Sequence, residues 1–437
     1  MHDIQRQYRS FPVTDFQQIK WQMLNWCNLF NICILLDSHQ YRLPGQQYEC
    51  LAACGVNASV SANAGTALEQ LQHFLEAQQG DWCFGHLAYD LKQEIEGLHT
   101  KHDNPVGFPD LHFFRPQTVL QLSNTELNIG VLQGAPENVW QEILETPVVQ
   151  ISNTVPLVLQ ERVIRSEYLQ AVEAIRSHIL RGDCYELNYC MEFFAENQQV
   201  NPTALYRSLT SVSPNPFAAF YRVADSYLLC ASPERYLKKT GNRLLSQPIK
   251  GTRARNLHEA AADAELRHQL QQNSKERSEN VMVVDLVRND LSRVCEPGSV
   301  AATELFGIYS FPQVHQMIST VEGTLQAGVS FTDIIRATFP MGSMTGAPKR
   351  RVMELVEQYE SSRRGLYSGA VGYISPEGDF DFNVVIRSII YHAATGYLSY
   401  HVGSGITWYA QPEAEYEECL LKAAAMNAVL QGGATGK

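Results

Sequence analysis

Two segments of the chain each place glutamates on one face of a predicted helix. Glu276 and Glu279 are three residues apart in SKERSEN, and Glu415, Glu418 and Lys422 follow at i, i+3 and i+7 in EAEYEECLLK. Such spacing is typical of a solvated helix face with an intrahelical Glu–Lys pair. If the two faces converge, four carboxylates repel one another unless a hard cation lies between them, and an all-oxygen site suits Mg²⁺. The pattern therefore predicts either two solvated faces or a magnesium site that bridges to an anionic substrate.

A glutamate and a lysine lie near the ends of two adjacent strand-like segments. Glu234 stands in SPER and Lys250 in PIKGTRARN, and a hairpin would bring the two side chains together. Both residue types are usually surface charges. Lys250 differs because it stands between Ile249 and Gly251, where its amine could be partly buried away from water. A desolvated lysine has a lowered pKa and becomes a nucleophile. We therefore expect a lowered pKa for Lys250.

Two glycine-containing segments could bring backbone close to a ligand. FPMGSMTGAPKRR has glycines before a predicted helix start, where backbone N–H groups can bind an anion, although it lacks the GxxxxGK[ST] pattern. HVGSGIT contains Gly403 and Gly405 in a strand-like run. Close approach to a ligand and a simple strand turn both explain such glycines.

These segments need a scaffold, and the hydrophobic periodicity predicts one. Apolar residues at helical spacing from Tyr168 to Ile179 indicate a helix that ends near Gly182, while Pro348 and Pro412 suit the first turns of two later helices. The last of these helices should run to about Leu430. Other helices are predicted near 257–272 and 275–287. Strands are predicted near 31–36, 82–88, 118–122, 189–194, 217–223, 227–230, 244–249, 369–374, 380–392 and 397–402.

The element pattern predicts an α+β fold. Large antiparallel sheets would form a sandwich-like core covered by helices, with an irregular β-rich lobe at the N-terminal side. We predict that residues 1–155 form this lobe and residues 156–432 the second domain. The boundary would lie in the stretch 136–156.

Composition excludes several functional classes. The 437-residue chain has 34 basic and 46 acidic residues and a net charge of −12, which argues against binding of nucleic-acid backbones. The polar start MHDIQRQYRS is unlike a signal peptide, and the longest apolar runs are shorter than the ~20 residues of a membrane span. The ten cysteines lack zinc-site spacing. We therefore predict a cytoplasmic protein with free, reduced thiols and with no nucleic-acid or membrane partner.

Taken together, the ordered segments resemble the chorismate-utilising enzymes, a family of anthranilate, aminodeoxychorismate, isochorismate and salicylate synthases. The likeness runs from about residue 161 to 425, and a weaker one covers ILLDS in the first lobe. Its motifs are GDCYELNY, SPERY, PIKGTRARN, SKERSENVMVVDLVRNDL, MGSMTGAPKRRVMELV, RRGLYSGAVGYIS, FNVVIRS, GSGI and EAEYEECLLKA. The resemblance implies an anthranilate synthase component I-like fold, chorismate as substrate and residues 156–432 as the chorismate-binding domain.

Lys250 carries the finer implication of the resemblance. Family members that aminate ring carbon 4 of chorismate have Lys at this position, whereas the others usually have Ala. The product would be 4-amino-4-deoxychorismate, a precursor of 4-aminobenzoate and folate. Lys250 would attack ring carbon 2, Glu234 would protonate the departing 4-hydroxyl, and ammonia would add at carbon 4 and release Lys250. The alternative is an enzyme that forms anthranilate on the same scaffold. A catalytically silent paralogue is a third hypothesis, but such a protein would have lost the glutamates, and all of them are present.

The resemblance also implies binding roles. Mg²⁺ would be held directly by Glu279 and Glu418, and mostly through water by Glu276 and Glu415. The enolpyruvyl carboxylate would meet Arg387, Tyr367 and the backbone at Gly405. Further substrate contacts would come from Ser343, Lys422 and Thr252.

Three further expectations concern elimination and partners. Gln316 stands where many relatives carry a His associated with pyruvate elimination, and Gln cannot move a proton near pH 7, which suits an enzyme that leaves elimination to a separate lyase. No segment resembles a glutaminase with its nucleophilic Cys, so we expect ammonia from a separate glutamine amidotransferase subunit. Asp37 in ILLDS replaces the family's Glu, which leaves open whether tryptophan binds in the first lobe.

Overall fold

The computed structural model describes residues 5–41, 45–148, 156–311 and 314–432. The strands are β1 Gln7–Pro12, β2 Ile32–Asp37, β3 Cys50–Ala62, β4 Cys83–Leu87, β5 Leu111–Leu122, β6 Glu126–Val131, β7 Gln160–Glu161, β8 Glu186–Ala195, β9 Phe217–Val223, β10 Ser226–Ser232, β11 Arg235–Thr240, β12 Arg243–Gln247, β13 Ile249–Ala254, β14 Ala301–Ser310, β15 Val314–Thr324, β16 Gly346–Ala347, β17 Ala370–Ile374, β18 Phe380–Asn383, β19 Ser388–His392 and β20 Tyr397–Ile406. The helices are α1 Phe16–Cys27, α2 Ala67–Ala77, α3 Lys92–Glu96, α4 Pro136–Glu145, α5 Arg165–Leu180, α6 Pro202–Val212, α7 Ala260–Gln272, α8 Ser274–Ser292, α9 Phe331–Thr338, α10 Lys349–Tyr359 and α11 Pro412–Leu430, with 3₁₀ turns at Tyr89–Leu91 and Gly342–Met344.

The sheet has two layers that share the long strands β3 and β5. One layer runs in the order β1-β6-β5-β3-β2-β9-β10-β19-β20-β8. The other leaves the first half of β5 and continues β4-β17-β18-β11-β12-β15, with β13 and β14 also paired to β15. Every pairing within the described residues is antiparallel. A register shift between Val56 and Ala58 interrupts the β3–β5 ladder, as bulges at bends do.

Alternation along the strands produces two hydrophobic clusters. Cys33 and Leu35 of β2 pack in one cluster with residues of α1, α5, α6 and α11. Ile34, between them, belongs to the other cluster, which joins strands of both layers with Val283 of α8. Because successive strand residues point to opposite faces, the shared layer is buried on both sides. The predicted α+β sandwich covered by helices is confirmed.

Most predicted elements are present, and two predicted strands are divided. The run 380–392 is interrupted after Asn383, because Val384 donates its N–H to the carbonyl of Glu234 and Val385 donates to Gly369. The run 244–249 is interrupted at Pro248, which has no N–H for a strand ladder. Each interruption lies next to a predicted site residue, Arg387 or Lys250.

The predicted division into residues 1–155 and 156–432 stays a prediction. Strand pairs cross it, since β2 pairs with β9 and β4 pairs with β17. The predicted boundary between residues 155 and 156 borders residues 149–155, which lie outside the described residues.

The cysteines and helices agree with the expectations from composition. All ten cysteines are buried and free, which confirms the prediction of free thiols. No helix in the described part of the chain combines the length and apolar character needed to cross a bilayer.

Candidate active site

A hairpin brings Glu234 and Lys250 together. Strands β11 and β12 form it, with Arg235 opposite Gln247. Glu234 lies immediately before β11, and Lys250 lies at the start of β13. The Ile249 N–H donates to the carboxylate of Glu234. The predicted hairpin is therefore confirmed.

The Lys250 amine points into the interior of this region. Its Nζ lies 2.6 Å from Glu186 Oε1, and the side chain is 12% exposed. Gly405 of β20 lies against the pair: a Cβ at this position would lie 2.5 Å from Glu186 Oε1 and 2.9 Å from Lys250 Nζ. Only a glycine lets the backbone approach so closely.

The predicted lowering of the Lys250 pKa is wrong. Burial does lower this pKa, but the carboxylates of Glu186, Glu279 and Glu418 oppose it, and the net effect raises the pKa. Opposite charges favour the charged form of an amine more strongly here than desolvation disfavours it. Lys250 is therefore an ammonium in this arrangement and needs a proton acceptor before it can act as a nucleophile.

Glu234 has the properties of a group that can donate a proton at neutral pH. Its residue is 4% exposed. Burial raises the pKa of Glu234 to about 7, against the lowering effects of the Ser343 hydroxyl and the Lys250 ammonium. A pKa in the neutral range lets Glu234 both hold and release a proton there, which suits general acid catalysis.

The two glutamate-bearing helix faces converge. Helix α8 carries Glu276 and Glu279, and α11 carries Glu415 and Glu418. Burial and the Glu418 carboxylate raise the pKa of Glu276. Lys275 stands between the helices, with Nζ 3.2 Å from Glu415 Oε1 and 3.8 Å from Glu279 Oε1. The two faces therefore approach each other, and the half-exposed intrahelical pair of Glu418 with Lys422 that the solvated alternative expected is also present.

The four glutamates offer an oxygen-only donor set for a hard cation. Glu279 Oε1 is buried and has no hydrogen-bond partner among the described residues, and burial raises the Glu279 pKa to about 7. As the side chains stand, no three acidic, His or Cys side chains in the described ranges are close enough to enclose a metal ion. Carboxylate oxygens are the donors that Mg²⁺ uses, and a buried carboxylate oxygen that accepts no hydrogen bond gains most from one. The donor atoms of these four glutamates are therefore of the type that Mg²⁺ binds. The ammonium of Lys275 lies beside two of them, Glu279 and Glu415.

Lys422 extends the same region along α11. Its Nζ lies 2.7 Å from Glu418 Oε1 and donates to the carbonyl of Gly403 at 2.8 Å. The side chains of Lys422 and Glu418 are 38% and 43% exposed. This pair therefore lies at the open side of the site, whereas Glu415 and Glu186 lie at its buried side.

Arg387 has an unusual environment for a half-buried arginine. Its φ of +50° is in the left-handed region that non-glycine residues rarely adopt. Burial lowers the pKa of Arg387, and its side chain makes no hydrogen bond or ion pair with a described residue. A strained residue that presents an unpaired guanidinium is typical of an anion-binding site. Tyr367, the second predicted carboxylate contact, is buried and stacks on His401 with ring centroids 5.1 Å apart.

Thr252 and Gln316 lie directly opposite each other on β13 and β15. Thr252 is exposed, and its side chain makes no hydrogen bond with a described residue. Gln316 is 1% exposed, and its Oε1 has no partner in the part of the chain that the structure describes. His315, one position earlier, bonds to Ser310 Oγ and Asp263 Oδ1 instead. Adjacent strand residues point to opposite faces, so His315 does not take the place of Gln316.

Two features of the site were missed in the sequence. Glu186 stands in GDCYELNY without an assigned role, although a glutamate in a strand whose residues are all buried is a signal of function. Arg364 makes paired hydrogen bonds to Glu360 at 2.9 and 2.6 Å and donates to the carbonyls of Met344 and Asn188. It thereby fixes the 3₁₀ turn that carries Ser343 against β8.

Comparisons with known proteins identify the family of this chain. Residues 32–428 match the family described as chorismate binding enzyme. The chain is 34% identical to "Anthranilate synthase component I-like protein" of Synechocystis sp. over 81% of this chain and 73% of that protein. It is also 34% identical to "Aminodeoxychorismate synthase component 1" of Bacillus subtilis over 80% of this chain and 77% of that protein. The crystal structure of anthranilate synthase component I from Streptococcus pneumoniae TIGR4 superposes with a TM-score of 0.74 and 26% identity, covering 89% of this chain and 94% of that one. The chain therefore belongs to the chorismate binding enzyme family and is an enzyme of this class.

Proposed function

We propose that this enzyme converts chorismate and ammonia to 4-amino-4-deoxychorismate, with Lys250 as a covalent nucleophile. The observation that carries the proposal is the place of the Lys250 amine, 2.6 Å from Glu186 and beside Gly405 rather than in bulk solvent. The Bacillus subtilis relative named aminodeoxychorismate synthase component 1 supports it. Anthranilate synthesis is the second candidate, because the names of the Synechocystis and Streptococcus proteins refer to anthranilate synthase component I.

Two successive displacements explain amination with retained configuration. The free amine of Lys250 attacks ring carbon 2, the ring double bonds shift, and the bond from carbon 4 to the hydroxyl breaks. Glu234 gives its proton to the departing hydroxyl, which leaves as water. Ammonia then forms a bond to carbon 4, the double bonds shift back, and the bond to Lys250 breaks.

Positive and neutral donors bind the dianionic substrate. Arg387 offers two parallel N–H donors to the enolpyruvyl carboxylate, and it has no competing partner among the described residues. Tyr367 and the backbone at Gly405 complete this contact. Ser343, next to Glu234, and Lys422, at the open side, provide further polar contacts. Thr252 lies two residues after Lys250 on β13.

We propose that Glu279 and Glu418 hold Mg²⁺ directly and that Glu276 and Glu415 hold it through water. When bound, Mg²⁺ would supply the positive charge that meets the ring carboxylate. Without it, the substrate's dianion would approach four glutamates, which supports a requirement for the ion.

Ammonia is proposed to come from a separate glutamine amidotransferase subunit. The test is glutamine-dependent turnover after adding such a subunit, with ammonium salt as the positive control. The proposed location is the cytoplasm, and the ten free, buried cysteines support a reducing compartment.

We propose that a cavity near β2 binds tryptophan. Its walls include Leu36, Asp37, Ser38, Phe217, Arg235 and Tyr373. Ser38 Oγ is buried and has no partner among the described residues. Buried hydroxyls normally have a hydrogen-bond partner, so this one supports the binding of a polar ligand in the cavity. Calorimetry with tryptophan should show binding that Ser38→Ala weakens. No binding by the wild-type protein would contradict this part of the proposal.

Product identification tests the proposed function. The enzyme is incubated with chorismate, Mg²⁺ and an ammonium salt, and the products are separated and analysed by mass spectrometry before and after addition of a 4-amino-4-deoxychorismate lyase. We expect 4-amino-4-deoxychorismate, which the lyase turns into 4-aminobenzoate. Anthranilate as the product would establish the second candidate instead.

A further inference from the structure

The closest contact of Lys250 is with a residue that the steps above do not use. We infer that Glu186 is a catalytic residue that accepts the proton of the Lys250 ammonium and so produces the nucleophilic amine. This inference rests on the proposed function, because it concerns activation of the nucleophile in that reaction.

The carboxylate of Glu186 lies in a position from which it can accept a proton from Lys250. It lies at the start of β8, its side chain is 3% exposed, and Oε1 is 2.6 Å from Lys250 Nζ. Its second oxygen, Oε2, is buried and has no hydrogen-bond partner in the described part of the chain. A general base must lie within hydrogen-bond reach of the proton it takes, and Glu186 satisfies this condition.

Glycines on both sides make room for this glutamate. A Cβ at Gly405 would lie 2.5 Å from Glu186 Oε1, and a Cβ at Gly346 would lie 2.1 Å from the Glu186 carbonyl oxygen. The backbone of two neighbouring strands, β20 and β16, thus closes on Glu186. Gly405 packs against the carboxylate and limits its orientations, whereas Gly346 packs against the backbone of Glu186 and fixes its position.

The charges around Lys250 make an acceptor necessary. The ammonium has no free electron pair, and three carboxylates favour its protonated form. Of the carboxylates in the described residues, that of Glu186 lies within 4.0 Å of Nζ, while Glu279 and Glu418 act from farther away. The proton therefore has a short path to Glu186.

Protons and electron pairs balance over the proposed catalytic cycle. The ammonium of Lys250 gives one proton to Glu186, which leaves a neutral amine and a carboxylic acid. The amine's electron pair forms the bond to carbon 2, and the hydroxyl leaves carbon 4 as water with the proton of Glu234. When ammonia bonds to carbon 4, the electron pair of the bond to carbon 2 returns to Lys250. Glu186 then returns its proton to the amine, and Glu234 regains a proton from solvent.

The first test removes the acceptor without changing the size of the side chain. Glu186→Gln should lower kcat with ammonia by about 100-fold or more, with little change in the KM for chorismate. Glu192→Gln is the matched control, because Glu192 is also a buried glutamate of β8 but pairs with Arg162 and Tyr397. The control should keep kcat within a few-fold of the wild type. Glu186→Asp should recover part of the lost rate.

A double-variant cycle separates catalysis from a structural effect. If Glu186 acts only through the Lys250 proton, Glu186→Gln should have no further effect on kcat in a Lys250→Ala background. The wild type provides the check on the proposed function. If it forms no 4-amino-4-deoxychorismate, that function fails. If the wild type forms this product but Glu186→Gln turns over at the wild-type rate, or if Glu186→Gln lowers kcat equally with and without Lys250, only the role of Glu186 is overturned.

Discussion

The ammonium of Lys275 lies 3.2 Å from Glu415 Oε1, in the space between the two helices that carry the predicted metal ligands. The same Nζ is 3.8 Å from Glu279 Oε1. A cation of the chain itself thus partly neutralises carboxylates that we propose hold Mg²⁺ or its water. Binding of the ion requires Lys275 to give up these contacts.

Lys275→Met should therefore strengthen Mg²⁺ binding in the absence of substrate. The lysine side chain is 46% exposed, and exposed ion pairs contribute roughly 0.2–1 kcal/mol, so we expect Kd to fall about 1.4- to fivefold. Isothermal titration calorimetry with MgCl₂ measures it. Arg277→Met changes the net charge equally on the same helix, but Arg277 stacks on Phe306, so this control should change Kd less. Weaker Mg²⁺ binding by Lys275→Met would contradict the proposed site.

The pKa of Glu234 predicts a falling rate at alkaline pH. Burial raises this pKa to about 7, so the proton that the departing hydroxyl needs is present below pH 7 and is lost above it. We expect kcat/KM to fall about tenfold per pH unit well above pH 7, because kcat/KM reports the pKa of the free enzyme. Measuring kcat/KM from pH 6 to 9 with constant free ammonia checks this. Glu234→Gln should be slow and should lack this falling limb; a wild-type rate that stays level to pH 9 would exclude Glu234 as the acid.

Arg387 and Arg364 should respond oppositely to the same substitution. Arg387 has no partner among the described residues, so Arg387→Met should leave the free energy of unfolding unchanged or higher. It should raise the KM for chorismate by roughly 10- to 100-fold, because charged hydrogen bonds to the substrate are worth about 1.5–3 kcal/mol. Arg364→Met leaves Glu360 buried without its cation and should cost about 3–5 kcal/mol of stability. Urea denaturation and steady-state kinetics measure both. Equal destabilisation by the two substitutions would contradict an unpaired Arg387.

The buried pair of Lys20 and Asp37 predicts a stability effect away from the active site. The two side chains are 2% and 0% exposed, and Lys20 Nζ lies 2.7 Å from Asp37 Oδ2. Lys20→Met leaves buried Asp37 with His39 as its remaining partner and should cost up to about 3–5 kcal/mol. Lys20→Met with Asp37→Leu should cost less, because the buried carboxylate is then absent. Denaturant unfolding at pH 7 measures both. Equal losses for the single and double variants would show that the charge is not the cause.

The same pair gives a direction for acid sensitivity. Burial raises the pKa of Asp37, but His39 and Lys20 outweigh it and hold the pKa below its usual value. The contribution of Asp37 is therefore complete above the pKa of an unfolded aspartate, about 4, and is lost as the pH falls below that value.

Local patterns predicted much of this molecule from sequence. Helix α11 begins and ends where its proline and periodicity place it, at Pro412 and Leu430. The Glu pairs share a face because helical spacing alone determines it. The hairpin that brings Glu234 to Lys250 follows from two short strands and a turn with Gly241.

Features that depend on distant parts of the chain were not predictable in this way. The direction of the Lys250 pKa shift depends on Glu186, 64 residues away in sequence. Arg387 reads as part of a continuous strand, yet its neighbours Val384 and Val385 bond to other segments and leave it at φ +50°. Strands β3 and β5 belong to both layers because their ladder bends where the register shifts between Val56 and Ala58. The alternation of apolar and polar residues along a strand does not reveal such a bend.

Peptide mapping of a Lys250 adduct tests the central claim most directly. The enzyme is mixed with chorismate and Mg²⁺ without ammonia, quenched, digested and analysed by mass spectrometry. We predict that the peptide containing Lys250 gains the mass of chorismate less one water, that added ammonia removes this mass, and that Lys250→Ala shows no adduct and a kcat lower by orders of magnitude. An unmodified Lys250 in the wild type, together with undiminished turnover by Lys250→Ala, would contradict the account.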